Sequence, residues 1–449
     1  MPKTEVTQPD VAGPVASEWF PVSFEQQLLL DNAEEKPPSH YNIVYGYHLS
    51  ESFDPEVYAG AVRVVAAAHD SLRTVFRVDG SRHVQRVQRH AADTVVQHLT
   101  SVDAGGADAF FRGATEQPIN LETGPLFSCG LAKAPDGWVL YHRWHHAIVD
   151  AWSVGMVTRQ LSSAYNAMLA GRGFQPEAGP ALQAVVAEEL AAADRDPDAG
   201  AFWAQVTEGA ELLRLGPERK SATSGEAGVV VRRVDLGAGA LQALTRETGF
   251  GPAALFLAAA VATAGLPADA APQLLLTILG LRMRPELKRF VGLLMRVVPL
   301  RVEPSAGLAA TELIGHVQAA TLAAWAHRRD PLGLAMELYP SVVEALGEMP
   351  MPLLVQLLDV PDRAFAPAGC TAEEVYHGFR RYTRFDVELQ IRPRSPGEFE
   401  IALVFDKELA PHYDFEVLLD RFAGESRRLL HSCAAPRPPF LGTERMRCP

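Results

Sequence analysis

His145-His146-Ala147-Ile148-Val149-Asp150-Ala151-Trp152-Ser153 stands between two segments of opposite character. Before it, Trp138–Trp144 is an apolar and aromatic run with no Gly or Pro, which predicts a strand. After it, Trp152, Met156, Val157, Leu161, Ala164, Tyr165, Met168 and Leu169 step at three and four, which predicts a helix. The chain therefore passes from strand to helix inside this stretch. Adjacent strand side chains point to opposite faces, so only one of His145 and His146 can face a given cavity. Asp150 sits where a carboxylate can accept from the first free N–H groups of the helix. An imidazole presented at such a junction suits a general base. The same pattern fits a satisfied core histidine followed by an ordinary capping Asp, so the stretch alone leaves both readings open.

Outward from this point, helix and strand signals alternate. Upstream, Ser23 with Gln26 reads as a capping box opening a helix over Phe24–Leu30. Tyr41–Leu49 reads as a strand, and Asp54-Pro55 opens a helix to about His69. Ser71–Val78 reads as a strand ending at the hairpin signal Asp79-Gly80. The Gly- and Pro-rich run Gly171–Pro180 reads as a linker, dividing the chain into 1–175 and 176–449. Downstream, helices are expected over Leu182–Ala193, Pro252–Leu266, Leu313–His327 and Phe415–Leu430. Strands are expected over Leu274–Leu279, Val297–Val302, Phe385–Ile391 and Ile401–Phe405. Gly216–Gly228 reads as a loose stretch and Ala434–Pro449 as a tail.

The chain has 449 residues, of which 48% are apolar. That excludes a disordered or collagen-like chain and sets a prior of two or three domains, at roughly 150 residues each. With 41 basic and 54 acidic residues the net charge is −13, which argues against a nucleic-acid partner. Cys129, Cys370, Cys433 and Cys448 show no metal or disulfide spacing, which fits a reducing compartment. The uncharged run around Pro252–Leu266 would span only about 22 Å as a helix, short of the ~30 Å of a bilayer core. No membrane association and a cytoplasmic location are therefore expected. His142, His145, His146 and Asp150 make a poor zinc set, because neighbouring strand histidines diverge and no Cys is near, so no metal is expected.

The motif resembles the His-His-x-x-x-Asp-Gly signature of the condensation domains of nonribosomal peptide synthetases, and Trp152-Ser153 is similar to its usual continuation. The resemblance continues in order along about residues 20–430. Ser23-Phe24-Glu25-Gln26 looks like the family's first motif. His69-Asp70-Ser71-Leu72-Arg73-Thr74-Val75-Phe76 is similar to its Arg-His-Glu-x-Leu-Arg-Thr-x-Phe segment. Pro118-Ile119-Asn120-Leu121 before Gly124-Pro125-Leu126 looks like Pro-Phe-Asp-Leu before Gly-Pro-Leu. Arg282 with Val291-Gly292, then Phe385-Asp386 and Phe405-Asp406, resemble its later motifs.

The resemblance implies an α/β fold of two chloramphenicol acetyltransferase-like lobes, forming a V around a central tunnel. It implies a free-standing condensation enzyme of the kind found in siderophore and enediyne antibiotic pathways. Such an enzyme would move an aminoacyl or aryl group from a carrier-protein thioester to a small-molecule amine or alcohol, forming an amide or ester. The family uses no cofactor of its own, since the donor rides on the phosphopantetheine arm of an acyl or peptidyl carrier protein acting in trans. His146 would be the catalytic base or orienting group. Asp150 would pair with Arg282, and His145 would pack behind the loop. Ala151, Trp152, Ser153 and Arg296 would line the substrate path.

Two departures stand out. Ala151 replaces the family's Gly, and Arg296 falls where an amide is expected, so it would meet an unusual acceptor or face solvent. Arg282, Arg284, Lys288, Arg289, Arg296 and Arg301 also form a basic cluster opposed only by Glu286. It reads either as a solvated face or as a surface for an acidic carrier and its phosphate. Two other functions fit the same residues: a CoA-dependent acyltransferase of the same fold, or a non-catalytic domain that recruits a partner to a carrier protein.

Overall fold

The computed structural model describes residues 18–34, 36–89, 96–99, 101–102, 106–193, 198–215, 225–267, 269–303, 307–328, 353–358, 365–375 and 382–434. The tail expected beyond Ala434 and the first part of the loose stretch at Gly216 lie outside them.

Two mixed sheets dominate. The first has five strands in the order Ala372–Val375, Asn42–Leu49, Gly137–His145, Phe127–Ala134 and Val96–Leu99. The second runs Met295–Val302, Gln273–Gly280, Leu353–Leu357, Val387–Ser395, Glu398–Asp406 and Ala227–Asp235, with Glu211–Leu212 alongside Gln273–Gly280. A small third sheet joins Phe20–Pro21, Arg82–Val87 and Thr74–Asp79.

Helices cover both faces of the first sheet, with Gly106–Glu116 alone on one of them, and one face of the second. On the first, Pro55–Ala68 and Ala151–Leu169 pack together. Tyr58, Phe76, Trp144 and Tyr165 are among the largest fully buried side chains of that core. The helix Pro55–Ala68 starts as its sequence dictates: Pro55 fills the first turn, and the Asp54 carboxylate accepts from Glu56 N–H (3.0 Å) and Val57 N–H (3.1 Å). On the second sheet, Pro252–Ala264, Ala310–Ala326 and Phe415–Ala434 pack over Leu389, Ile391, Ile401 and Leu403. The apolar helix Pro252–Ala264 is a core element there, with nine buried residues. Among the described residues no single helix is long and apolar enough to cross a membrane.

Local differences from the sequence reading have local causes. Ser71–Arg73 is not strand: Asp70–Arg73 is a 3-10 turn, closed by the Asp70–Arg73 ion pair at 2.9 Å. The strand begins at Thr74. Gly137 opens the central strand with φ +151, and a Cβ there would lie 2.0 Å from the Leu49 carbonyl oxygen. Only glycine lets those backbones meet.

The chain interval 176–449 is not confined to the second sheet. Ala372–Val375 returns to the first sheet and pairs antiparallel with Asn42–Leu49. Phe365, Val291 and Leu293 likewise enter the first core. A separate buried cluster joins Phe20 and Val87 of the small sheet to Val185 and Val186 of the helix Leu182–Ala193 and to Leu287, Phe290 and Leu294. The loop Leu281–Leu294 is bonded to the His145–Ser153 stretch through Arg282, Gly292 and Leu294.

Candidate active site

The strand Gly137–His145 delivers the motif. Its last ladder bonds are His145 N–H to the Leu126 carbonyl (2.9 Å) and His146 N–H to the Tyr41 carbonyl (2.9 Å). The chain then tightens into a 3-10 turn over His146–Ile148. Ala147, Ile148 and Val149 are at most 1% exposed, so the first core anchors the turn from below. The first helix anchors it from the side. Ser23 and Gln26 form the expected capping box, with Ser23 N–H donating to Gln26 Oε1 (2.9 Å) and Gln26 N–H to Ser23 Oγ (3.2 Å). That fixes the Gln26 amide, whose N–H donates to the Ala147 carbonyl at 3.0 Å.

The two histidines take different roles. His145 Nδ1 accepts from Ala147 N–H at 3.3 Å, which leaves its proton on Nε2. Its ring meets Tyr41 edge-on at 6.2 Å, and the residue is 3% exposed. His146 Nδ1 lies 2.9 Å from the Val149 carbonyl, which can only accept, so Nδ1 carries the proton. Its Nε2 is left with a lone pair, and no described residue hydrogen-bonds to it. Burial, followed by the Arg384 guanidinium, pushes the His146 imidazole well below the ordinary histidine range. The same two causes, in the same order, push His145 down to about 3. Both rings are therefore neutral near pH 7.

Asp150 caps the helix Ala151–Leu169 from extended backbone, its carboxylate accepting from Ser153 N–H at 2.9 Å. The other carboxylate oxygen accepts from Arg282 (2.5 Å) and from Leu294 N–H (2.9 Å). The side chains of this pair are 6% and 5% exposed. Arg282 further donates to the Ser153 hydroxyl (2.8 Å) and the Gly292 carbonyl (3.0 Å). The Ser153 hydroxyl accepts from Gly292 N–H at 3.0 Å. This network fastens residues 290–294 to the first turn of the motif helix.

Two of the expected substrate-path residues are elsewhere. Ser153 is wholly buried in the Arg282 network, its hydroxyl shared between Arg282 and Gly292. Arg296, 2% exposed, faces neither solvent nor a substrate path. Its guanidinium is ion-paired to Glu25 and, at 3.0 Å, to Glu189, and donates to the Arg328 carbonyl. A buried cation between two carboxylates is the arrangement that satisfies its charge. Burial, then the neighbouring Glu25, raises the Glu189 carboxyl well above its usual range. Ala151 and Trp152 stay partly exposed, and the Trp152 indole N–H donates to the Lys288 carbonyl at 3.0 Å.

The basic cluster does not form one surface. Arg282 and Arg296 are buried, Arg284 pairs with Glu188 (2.6 Å) and Glu286 (3.2 Å), and Arg301 pairs with Glu303 (3.0 Å). Strand alternation and intervening turns send these residues in different directions. Among the described residues no group of three His, Cys, Asp or Glu side chains is placed to hold a metal. His142 is buried in the core against Tyr58 and is pushed down to about 3 by burial alone.

Arg384 is the site residue that the sequence reading missed. It stands beside Tyr41, its Cζ 5.9 Å from the ring centroid. It precedes Phe385-Asp386 by one position, but nothing in that local pattern points 240 residues back along the chain.

Comparison with known proteins identifies the family and the fold. The condensation domain family matches residues 17–436. The non-canonical nonribosomal peptide synthetase CymA of Salinispora arenicola is 29% identical over 398 residues, covering 85% of this chain. The chain spans only 5% of CymA. Among solved structures, the first condensation domain of the CDA synthetase aligns with a TM-score of 0.77 at 19% identity, covering 93% of this chain and 98% of that one. SgcC5 from Streptomyces globisporus, solved with an aryl 1,2-ethanediol, aligns at 0.71 and 19% identity, covering 94% and 100%. The fold is that of these chloramphenicol acetyltransferase-like proteins. A family match over most of the length leads to one assignment: the chain belongs to the condensation domain family, whose members are amide-bond-forming acyltransferases.

Proposed function

We propose that this chain transfers an acyl group from a carrier-protein thioester to an amine or alcohol, forming an amide or an ester. The observation that carries the reading is the His146 Nδ1 bond to the Val149 carbonyl at 2.9 Å. It fixes the tautomer whose Nε2 lone pair can receive a hydrogen bond from an attacking N–H or O–H. The depressed basicity of His146 makes a long-lived imidazolium costly. His146 therefore orients the nucleophile and takes its proton only as the new bond forms, and Asp150 and Arg282 hold the frame around it. The donor arrives on a phosphopantetheine arm, and the chain supplies no cofactor of its own. The aryl diol bound by SgcC5 gives a reason to include alcohol acceptors in the test.

The test incubates the chain with carrier protein loaded with aminoacyl or aryl thioesters and with panels of amines and alcohols, read by mass spectrometry. The expected result is loss of the acyl group from the carrier with formation of a new amide or ester. His146→Ala is expected to fold normally and to transfer at least ~10²-fold more slowly. Transfer from acyl-CoA but not from the loaded carrier would favour the CoA-dependent reading. Binding of the carrier without turnover would favour the recruitment reading. Near-full activity of His146→Ala would remove its proposed role.

A further inference from the structure

Residues 382–384 belong to the second half of the chain and are anchored there by backbone. Tyr382 bridges to Glu226, and Thr383 N–H donates to the Gly225 carbonyl at 2.7 Å. Asp386 is held by Asp406 N–H at 3.0 Å. Yet the segment packs against the first lobe. The Tyr382 ring lies 5.6 Å from the His40 ring, and the Arg384 guanidinium stands 5.9 Å from the Tyr41 ring. Tyr41 in turn touches the His145 ring and accepts the His146 N–H on its carbonyl. One lobe thus presents a cation, on a fixed loop, beside Tyr41, whose ring meets His145 at the start of the histidine turn in the other.

We propose that Arg384 is an electrostatic positioning residue for acyl transfer: its charge stabilises the anionic tetrahedral intermediate formed beside His146. The inference rests on the acyl-transfer reading above. The nucleophile's nitrogen or oxygen bonds to the thioester carbonyl carbon, and the carbonyl π pair moves to oxygen as an alkoxide. His146 Nε2 takes the nucleophile's proton. The alkoxide then re-forms the carbonyl, the C–S bond breaks with its electron pair on sulfur, and the proton passes from His146 to give the free thiol. A nearby cation favours the alkoxide and also drives the proton off His146 in the second half of this sequence. The same field opposes a proton on His146 and on His145 in the resting protein, where Arg384 follows burial as a cause of their low basicity. Tyr41, His145 and His146 face it from the first lobe, and Arg384 makes contacts beyond these.

Arg384→Met keeps the length and removes the charge, and Arg384→Lys keeps the charge. The backbone anchors of the loop are untouched by either. Arg384→Met is expected to lower kcat by about 10-fold, the scale of one charge acting through a partly screened medium, with Arg384→Lys retaining most of the activity. The acid inflection of the kcat/KM profile should move to higher pH in Arg384→Met alone. A parallel measurement needs no turnover: histidine-labelled protein is titrated by NMR, with His146→Ala assigning the resonance. The His146 titration should move toward the ordinary histidine range in Arg384→Met. An unmoved titration overturns the proposal, whatever the activity does. A moved titration with unchanged kcat also overturns it. Failure of the wild-type chain to transfer any acyl group would instead refute the acyl-transfer reading, and the titration would still decide whether Arg384 sets the field.

Discussion

Replacing Asp150 by Ala removes the group on which most of the motif's geometry hangs. One carboxylate oxygen caps the helix through Ser153 N–H. The other holds Arg282 at 2.5 Å and Leu294 N–H at 2.9 Å. Breaking a buried ion pair from one side costs about 3–5 kcal/mol, because the remaining charge stays buried without its partner. Loss of a helix cap costs about 1 kcal/mol more. Arg282 keeps its bonds to Ser153 and Gly292, which offsets part of that sum, so a net loss of about 4 kcal/mol is expected. At roughly 2–4 °C per kcal/mol, the first unfolding transition should fall by about 10 °C. Asp150→Asn keeps one acceptor for Ser153 N–H but sets an NH2 group against Arg282 and Leu294 N–H, so it should fall by nearly as much. The assay is thermal melting followed by near-UV circular dichroism and by tryptophan fluorescence, two probes being needed because two lobes need not unfold together. The double variant Asp150→Ala/Arg282→Ala should be more stable than the sum of its singles by at least ~1 kcal/mol. Melting of Asp150→Ala within ~1 °C of wild type, or strict additivity in the cycle, would refute the staple.

Three further outcomes follow from the packing. Ser153→Ala deletes the hydroxyl shared by Arg282 and Gly292 and should cost about 1–3 kcal/mol in urea unfolding, with an unchanged midpoint counting against that bridge. Gly137→Ala forces a Cβ against the Leu49 carbonyl at φ +151; a soluble, fully stable variant would contradict the close approach, since a loss of more than ~2 kcal/mol is expected. Burial holds His142 and His145 down to about 3, against about 6.5 in the unfolded chain, so the unfolded state binds protons first as pH falls. Stability is then complete above about pH 6.5 and is lost progressively from there toward pH 3, by up to ~1.4 kcal/mol per pH unit for each ring. His145→Asn should flatten the fall in melting temperature between pH 6.5 and 4.5, and an unflattened slope would count against a neutral His145.

The parts of the site that local chemistry dictates could be read from the residues in order. Asp150 before an amphipathic run announces a cap, and Ser23 with Gln26 announces a capping box. Asp79-Gly80 announces a hairpin, with Gly80 at φ +65. The Asp150–Arg282 contact came from the resemblance and not from spacing. What stayed hidden depends on partners far away in sequence. Arg296 reads as lining the substrate path or facing solvent until Glu25, 271 residues earlier, is brought against it. Ser153 looks like a first-turn hydroxyl until Gly292 arrives. Arg384 carries no signal at all, because its neighbour Tyr41 is set by the packing of a loop between lobes. Charge clusters mislead for the same reason: a row of arginines along the chain is not a row in space.

The return of Ala372–Val375 to the first sheet bears on how the chain can be cut or recombined. A fragment ending at the linker near Gly171–Pro180 would carry Asn42–Leu49 with one edge stripped of its partner. Such an edge invites intermolecular strand pairing and aggregation. Chimeras that exchange one lobe for a relative's should therefore carry residues 365–375 with the N-terminal half, or exchange both halves together. The same strand ties the second half of the chain to the first sheet through four residue pairs, so the two halves cannot part without peeling it from Asn42–Leu49.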